Sequence, residues 1–312
     1  MSTVPIHTFD DLLAAAAALS EQRILVALPS NRDTFEAIHA AATHLKTRFL
    51  LVGDEQTIRR AMAELMVPER AVSFHHHPGP ADALNCCVDL LRKGDADIFM
   101  KGSVDTGTMM RAVFDETSGL RTGRLFSDVF LTEVPFRPGN KFLMITDGGL
   151  TPAPDLKEKI GLIANAVAVA HALGNPLPRV AILSATEQVS AALPSTMDAA
   201  ILSKMNERGQ IPGCLVDGPL ALDNAFSMEA AREKKIESKV AGMADILVAP
   251  SIEAANALAK STTYFAGWRL AHVIVGGKVP ILIPSRADRA DAKLLSIALG
   301  MLVREAAMRG AL

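Results

Sequence analysis

Short apolar runs recur along the whole chain, and longer stretches with helical periodicity separate them. The runs are bounded by Gly, Pro, Asp and Ser, and few polar residues interrupt them. Continuous runs of this kind are typical of parallel strands that are buried between two layers of helices. They occur at residues 24–29, 49–53, 97–100, 141–146, 179–184, 213–218, 245–250 and 279–285. The alternation of strand and helix predicts an α/β fold built from doubly wound units.

The chain is long enough to form two hydrophobic cores. It has 312 residues, of which 49% are hydrophobic, and single cores stop growing at about 250–300 residues. Residues 118–154 mix strand-like runs with Gly and Pro, as connections between domains do. We expect two doubly wound α/β domains, formed by residues 1–138 plus 286–312 and by residues 139–285. The helical pattern after Asp288 predicts a long C-terminal helix that returns to the first domain.

Charge and aromatic content restrict the class of ligand. The 32 Lys and Arg residues balance 34 Asp and Glu residues, so there is no overall basic field that would attract nucleic acid or an anionic membrane. Only 4% of the residues are aromatic, which leaves few platforms for stacking bases. We therefore expect a small charged substrate that is bound by local groups, with neither nucleic acid nor a membrane as a partner.

The cysteines indicate the compartment. Cys86, Cys87 and Cys214 lack the spacing of a metal site or of a disulfide framework. Reduced thiols and a cytoplasmic location follow from this pattern. The alanine-rich run between Asp11 and Glu21 is short and flanked by acidic residues, so we expect an ordinary helix there and neither a signal peptide nor a membrane span.

The segment PSRAD, Pro284–Asp288, ends an apolar strand and leads into the C-terminal helix. Ser285 and Asp288 have the spacing of a capping box, so Ser285 is either only a helix cap or part of a binding site. A turn at the carboxyl end of a strand, before a helix, directs free N–H groups toward a ligand. Arg286 can then hold a phosphate group through two parallel hydrogen bonds.

A second candidate site, KGSVDTGTMMR, follows the strand at residues 97–100. Gly102 allows the backbone to approach a ligand closely, and Lys101 and Thr106 supply a positive charge and a hydroxyl group for an anion. The same segment also fits the capped start of a helix that binds nothing.

Asp147 follows the strand at residues 141–146, within the sequence TDGG. A carboxylate at a strand end can act as a general base, bind a metal ion or contact a substrate. Asp-Gly is first of all a turn sequence, however, so the turn is our preferred interpretation of Asp147, with substrate binding as the alternative.

Neither a metal ion nor a redox cofactor is expected. His75, His76 and His77 alternate between the two faces of an extended chain and cannot converge on one ion, so a solvent-exposed loop is predicted for them. A nicotinamide-dependent dehydrogenase is a weaker interpretation, because no G-x-G-x-x-G follows the first strand.

Several segments taken together resemble the phosphate acetyl/butyryltransferase family. The resemblance extends from about Asp97 to Gly300, and the DGPLALDNA and SRAD forms are closest to the phosphate butyryltransferase branch. The segments that carry it are DIFMKGSVDTGTMMRAV, FSDVFLTEVP, FLMITDGGLTPAPDLKEKIGLIANAV, AALPSTMDAAILSKMNERGQIPGCLVDGPLALDNAFSMEAA, ADILVAPSIEAANAL and PILIPSRADRADAKLLSIALG.

The resemblance implies a homodimer of two-domain chains with a cleft between the domains, and an enzyme that needs no cofactor. The implied reaction is reversible transfer of a short acyl group between CoA and inorganic phosphate in a ternary complex, without a covalent acyl-enzyme. By the same resemblance, Ser285 and Arg286 contact the substrate carbonyl and the phosphate. The phosphate side is completed by Lys101, Gly102, Thr106 and Ser127.

One departure from the family pattern concerns the catalytic base. Phosphotransacetylases have an aspartate seven residues after the serine, where this chain has Ala292. Asp288 and Asp291 are three residues apart, on one face of a helix that includes both. Either could replace the missing carboxylate, or the thiol proton could leave through water.

Ala292 also motivates an alternative function, a catalytically weak paralogue that binds acyl-CoA or acyl phosphate as a sensor. Acetyl, propionyl and butyryl groups all remain open as the transferred group, because one methylene changes binding by only about 1–3 kcal/mol.

Overall fold

The computed structural model describes residues 5–285 and 287–310. They form two compact units, which we call the terminal unit, Phe9–Phe126 with Ala271–Gly310, and the middle unit, Ser127–Leu270 with residues 5–8. The sequence places the divisions after residues 138 and 285. Both divisions lie earlier in the structure. The first differs because the strand at Ser127–Glu133 pairs with the strand at Phe142–Thr146 and joins its unit. The second differs because the strand at Leu270–Val275 pairs with the strand at Ile281–Leu282, which belongs to the terminal unit.

Helices and strands alternate through the first part of the terminal unit, with short 3₁₀ helices at Glu69–Ala71 and Glu116–Ser118. The elements are α1 (Phe9–Ala18), β1 (Gln22–Ala27), α2 (Arg32–His44), β2 (Thr47–Gly53), α3 (Glu55–Glu64), β3 (Val72–His76), α4 (Pro80–Lys93), β4 (Ile98–Lys101) and α5 (Thr106–Phe114).

The middle unit follows, and the chain then returns to the terminal unit through its last three elements. The middle unit contains β5 (Ser127–Glu133), β6 (Phe142–Thr146), α6 (Leu156–Ala172), β7 (Arg179–Leu183), α7 (Pro194–Glu207), β8 (Leu215–Leu220), α8 (Leu222–Phe226), α9 (Met228–Glu233), β9 (Ile246–Val248) and α10 (Ile252–Tyr264). The last elements are β10 (Leu270–Val275), β11 (Ile281–Leu282) and α11 (Ala290–Met308).

In the terminal unit the strand order is β3-β2-β1-β4-β11-β10. All pairs are parallel except β10 with β11. The four residues of β4 are buried, and β4 pairs with β1 on one side and with β11 on the other. The chain segments that follow β1, β4 and β11 therefore leave the sheet at the same edge, as ligand-binding segments do in parallel sheets.

In the middle unit the strand order is β5-β6-β9-β7-β8, and only β5 with β6 is antiparallel among these described pairs. An apolar core of this unit includes Val134, Ile145, Ala181 and Leu247. The α/β prediction is confirmed, and each of the eight predicted runs overlaps a strand. The antiparallel pairs make the strand arrangement mixed, where parallel strands were expected.

Three strands, β3, β5 and β10, lie outside the predicted runs. In β5, the polar residues Ser127, Asp128 and Thr132 interrupt the apolar pattern. The edge strand β3 is only half-buried and contains His75 and His76, so the loop prediction for these residues is wrong. Strand β10 includes His272 within an otherwise apolar run, and this polar residue obscured the pattern.

The predicted C-terminal helix is confirmed as α11, which packs on α1 and α2 of the terminal unit. Leu295, Leu299 and Leu302 are among its buried residues, and their spacing places them on one side of a helix. The last helix thus completes the core of the unit in which the chain begins its first strand.

Gly102 is the point of closest approach between the segments that follow β1 and β4. A Cβ atom at this position would lie 2.4 Å from the carbonyl oxygen of Ala27 and 2.5 Å from that of Leu28. Both contacts are with backbone, which cannot rotate away. Only glycine fits here without displacing one strand end.

We predict that Gly102→Ala lowers the free energy of unfolding by about 1–3 kcal/mol, the usual cost of overpacking. Gly107→Ala is the matched control, because a Cβ there meets no atom closer than 3.4 Å and alanine is favoured over glycine in a helix. Urea unfolding measures both variants. Equal stability of the two variants would contradict the close approach.

Candidate active site

The sheet edge of the terminal unit gathers several of the predicted site residues. Lys101 is the last residue of β4, Gly102 follows it, and Ser285 follows β11, the neighbouring strand. From the segment after β1, Ser30 Oγ forms a hydrogen bond with Ser103 Oγ. We call Ser30, Lys101, Gly102, Ser103 and Ser285 the edge cluster.

Lys101 is buried, with 5% of its surface exposed. Its ammonium donates a hydrogen bond of 3.3 Å to the carbonyl oxygen of Gly102. Thr106 is half-buried and opens α5, where the side chain of Asp105 accepts from the backbone N–H of Thr108 at 2.8 Å. The capped helix start is therefore confirmed, and anion binding by this segment stays a prediction.

Two hydrogen bonds between Ser285 and Asp288 close the Ser285–Asp288 turn. The backbone N–H of Ser285 donates to Asp288 Oδ2 at 2.6 Å, and the N–H of Asp288 donates to the carbonyl of Ser285 at 3.1 Å. Within the described residues, the exposed Ser285 hydroxyl accepts a long bond, of 3.3 Å, from the N–H of Ala287. Helix α11 begins at Ala290 with Arg289 as its cap, so the interpretation of Ser285 as the helix cap is wrong.

The two candidate carboxylates lie in different settings. Asp288 is in the turn before α11, with its Oδ2 4.0 Å from His272 Nε2. Asp291 is in the first turn of α11, with 65% of its side chain exposed. The expectation that one helix includes both is wrong, because α11 begins after Asp288. Arg286 lies outside the described residues.

In the middle unit, Ser127 is fully buried at the start of β5. The amide Nδ2 of Asn165, on α6, donates to Ser127 Oγ at 2.8 Å. This bond fixes the orientation of the Ser127 hydroxyl. Its role toward phosphate stays a prediction.

Asp147 organises the turn after β6. Its carboxylate accepts from the backbone N–H groups of Gly149 at 2.9 Å, Leu150 at 3.1 Å and Thr151 at 3.1 Å, and from the Thr151 hydroxyl at 3.1 Å. Burial raises the pKa of Asp147 to about 6, although hydrogen bonds from backbone N–H groups oppose the shift. The turn interpretation is confirmed, and a direct contact of Asp147 with a substrate stays a prediction.

Asp147 predicts a particular dependence of stability on pH. Because its pKa in the folded state, about 6, exceeds the reference value of 3.8, the folded state binds the extra proton between these values. The stabilisation is full below about pH 4 and is lost as the pH rises through about 6. At 1.36 kcal/mol per pH unit it amounts to about 3 kcal/mol.

Urea unfolding of the native protein and of Asp147→Asn, at pH 4 and pH 7.5, measures this contribution. We expect the stability advantage of the native protein over the variant to shrink by about 3 kcal/mol at the higher pH. Asp155→Asn, at an exposed helix cap, is the control. A difference between native protein and Asp147→Asn that stays constant with pH would contradict the assignment.

The structure also reveals polar residues that the sequence did not single out. Ser30 bonds within the edge cluster, Asn165 orients Ser127, and Asp128 lies buried beside Asp147, with its N–H donating to Asp147 Oδ1 at 3.3 Å. Ser30 had a detectable signal, because Pro-Ser bounds the first apolar run. Asn165 lies inside a helical pattern, where only the packing of α6 on β5 identifies it.

The cysteines are not arranged as nucleophiles. Burial raises the pKa of the Cys87 thiol and raises that of Cys214 to about 11. Such thiols stay protonated at neutral pH and react poorly. This agrees with a reaction that forms no acyl-cysteine.

Among residues 5–285 and 287–310, no group of three or more His, Cys, Asp or Glu side chains could hold a metal ion. None of the helices in this part of the chain is both long and apolar enough to cross a membrane.

Two α/β units with polar residues at the ends of parallel strands are the architecture of many proteins that bind small ligands. Comparisons with known proteins identify the family. Residues 76–301 match the family model described as Phosphate acetyl/butaryl transferase. A phosphate butyryltransferase of Clostridium beijerinckii is 41% identical over 295 residues, which cover 95% of this chain and 97% of the relative. A phosphate acetyltransferase of Thermotoga maritima is 42% identical over 93% of this chain and 98% of its own length.

A solved structure agrees with the sequence relatives. The crystal structure of a branched-chain phosphotransacylase from Enterococcus faecalis has a TM-score of 0.80 and 28% identity, and the match covers 91% of this chain and 99% of that chain. This chain belongs to the phosphate acetyl/butyryltransferase family and is an acyltransferase. The family resemblance in the sequence is confirmed.

Proposed function

We propose that this acyltransferase reversibly converts a short-chain acyl-CoA and inorganic phosphate into an acyl phosphate and free CoA. The proposal rests above all on relatives of this activity that are 41–42% identical over nearly the whole chain. The alternative of a sensor without turnover has no observation in its favour. It was motivated only by Ala292.

The chemistry requires three functions from the protein. A phosphate oxygen attacks the thioester carbon, so the phosphate must be held and the developing oxyanion must be stabilised. The C–O bond forms, the C–S bond breaks, and the thiolate of CoA takes up the proton that hydrogen phosphate brings to the reaction. Neither a covalent intermediate nor an external oxidant or reductant is needed.

The edge cluster supports the assignment of these functions to the terminal unit. Ser285 is exposed, is not a helix cap, and offers its hydroxyl to the substrate carbonyl or to phosphate. We assign phosphate binding to Arg286 and to Lys101, whose positive charge lies at the end of β4. Gly102 and Thr106 belong to the same segment, which connects β4 to α5.

We assign the transfer of the thiol proton to Asp291. Asp288 is occupied by the N–H of Ser285 at 2.6 Å, so its carboxylate serves the turn. Asp291 is exposed on the first turn of α11 and adjoins Ala292, the position of the family's aspartate. It can exchange a proton with water and with the thiol.

The middle unit supplies two further candidates for substrate binding. Ser127 is held by Asn165, and Asp147 fixes the backbone of residues 149–151. Ser127 is assigned to the phosphate. Asp147 acts through the turn that it organises.

Phosphate-dependent release of CoA thiol tests the proposed function. Acetyl-CoA, propionyl-CoA and butyryl-CoA are each assayed with and without phosphate, and the reverse reaction is followed from acyl phosphate and CoA. We expect turnover that requires both substrates, and the three acyl groups then give the chain preference. Tight binding of acyl-CoA without turnover would establish the sensor instead.

Ser285 can be tested separately from folding. Because Ser285 does not cap α11, Ser285→Ala should change stability by less than about 0.5 kcal/mol, yet lower turnover by about two orders of magnitude through loss of a transition-state donor. Asp155→Ala is the opposite control, because it removes the true cap of α6 and should cost about 1 kcal/mol without lowering turnover. Full turnover in Ser285→Ala would remove Ser285 from the site.

A homodimer in the cytoplasm is proposed as the working state. Two exposed aromatic side chains support the dimer: Phe136 is 70% exposed and Phe265 is 91% exposed. Phe136 contacts the rings of Phe226 and Trp268, with centroids 6.2 and 5.8 Å away. Exposed aromatic groups of this size are common in interfaces between subunits.

Sedimentation equilibrium tests the dimer. We expect twice the chain mass of 33.2 kDa, and we expect Phe136→Glu to shift the mass toward the monomer, because the interface would bury a charge. A native protein that stays monomeric at micromolar concentration would refute the proposal.

A further inference from the structure

Lys293 is a buried cation at the start of α11. Only 1% of its surface is exposed, and it ranks among the largest fully buried side chains of the protein. Burying an ammonium costs free energy unless partners compensate. The N-terminal end of a helix also carries partial positive charge, which disfavours a cation in the first turns.

The chain contains a second buried lysine at the same position of a helix, and this lysine has a carboxylate partner. Lys159 is the fourth residue of α6, as Lys293 is of α11, and it is also buried. The ammonium of Lys159 forms an ion pair of 2.6 Å with Asp198. No carboxylate within the described residues lies within 4.0 Å of the Lys293 ammonium.

The hydrogen bonding of Lys293 is equally sparse. Its ammonium has three donors, and the bond that the described residues provide goes to the backbone carbonyl of Asp288. Burial lowers the pKa of Lys293, while the more distant carboxylates of Asp33, Asp288 and Asp291 raise it. Stability alone does not account for this lysine, and residues that break local rules without compensation are typical of functional sites.

The bond to Asp288 connects Lys293 with the Ser285–Asp288 turn. Lys293 holds the main chain of Asp288, and the carboxylate of Asp288 holds the N–H of Ser285 at 2.6 Å. The cap of α11 makes no side-chain hydrogen bond that would anchor the turn. The turn is therefore fixed to the helix through the ammonium of Lys293.

We propose that Lys293 is a positioning residue of the transfer reaction, which holds the Ser285–Asp288 turn and thereby places the Ser285 hydroxyl. The inference rests on the proposed function of Ser285. Lys293 itself does not touch the substrate. A hydroxyl displaced by about 1 Å from its productive place can cost about 100-fold in rate.

The proposal predicts that replacing Lys293 lowers turnover without lowering thermal stability. Lys293→Met keeps the length of the side chain and removes the buried charge, a replacement that is often neutral or stabilising. We expect a thermal midpoint equal to or above that of the native protein. We also expect turnover to fall by about 10–100-fold, with KM for acyl-CoA and for phosphate changed by less than about threefold.

Two further variants complete the comparison. Lys159→Met should lower the thermal midpoint, because it leaves Asp198 without its partner, and should keep native turnover per folded molecule. Lys293→Arg retains a donor for the carbonyl of Asp288 and should recover part of the turnover. Trypsin cleavage after Arg289 reports on the turn without any assay of activity, and it should be faster in Lys293→Met alone.

The outcomes separate this inference from the proposed function. If the native protein shows no phosphate-dependent turnover, the function fails, while trypsin cleavage and thermal stability still test the anchoring of the turn. A less stable Lys293→Met with native turnover per folded molecule would overturn the proposal, because the lysine would then be structural. An increase in KM for phosphate with unchanged kcat would also overturn it, because Lys293 would then bind the anion directly.

Discussion

The terminal unit depends on the close contact between Gly102 and the backbone of Ala27 and Leu28. Strand β4 is buried and paired on both sides, so its end cannot move away from its neighbours. A side chain at Gly102 would separate the segments after β1 and β4. The hydrogen bond between Ser30 and Ser103 exists because these segments meet. Backbone packing thus brings together polar groups that lie far apart in the sequence.

Among the described residues, some buried charged side chains have a partner of opposite charge, and Lys293 does not. Asp97, before β4, accepts from Arg23 at 3.0 Å and from Arg304 at 3.5 Å, and in the middle unit Asp245, before β9, accepts from Arg137 at 3.0 Å. Burial alone would raise the pKa of Asp97, but the bonds from Arg23 hold it below its usual value. These ion pairs compensate the buried carboxylates at the points where β4 and β9 begin. In helix α11, which follows β11, the buried Lys293 has no carboxylate partner within 4.0 Å among the described residues.

The strands could be predicted from the sequence wherever burial on both faces makes an apolar run continuous, as in β4 with Ile98, Phe99 and Met100. The same criterion failed for β3, a half-buried edge strand, and for β10, where His272 interrupts the run. The spacing of Ser285 and Asp288 correctly indicated a bond between them. It did not show that this bond closes a turn before the helix, because α11 begins only where the chain reaches Ala290.

The sequence by itself determined the α/β class, the family and the segments that carry polar groups, because these depend on local periodicity and on residue types in fixed order. The tertiary structure decided which strands pair in parallel, that Asp147 is buried beside Asp128, and that Lys293 is buried without a carboxylate partner within the described residues. Each of these depends on groups distant in sequence meeting in a shared core. The free energies of these interactions depend on desolvation and on contact geometry, and the order of residues in the sequence does not specify either of them.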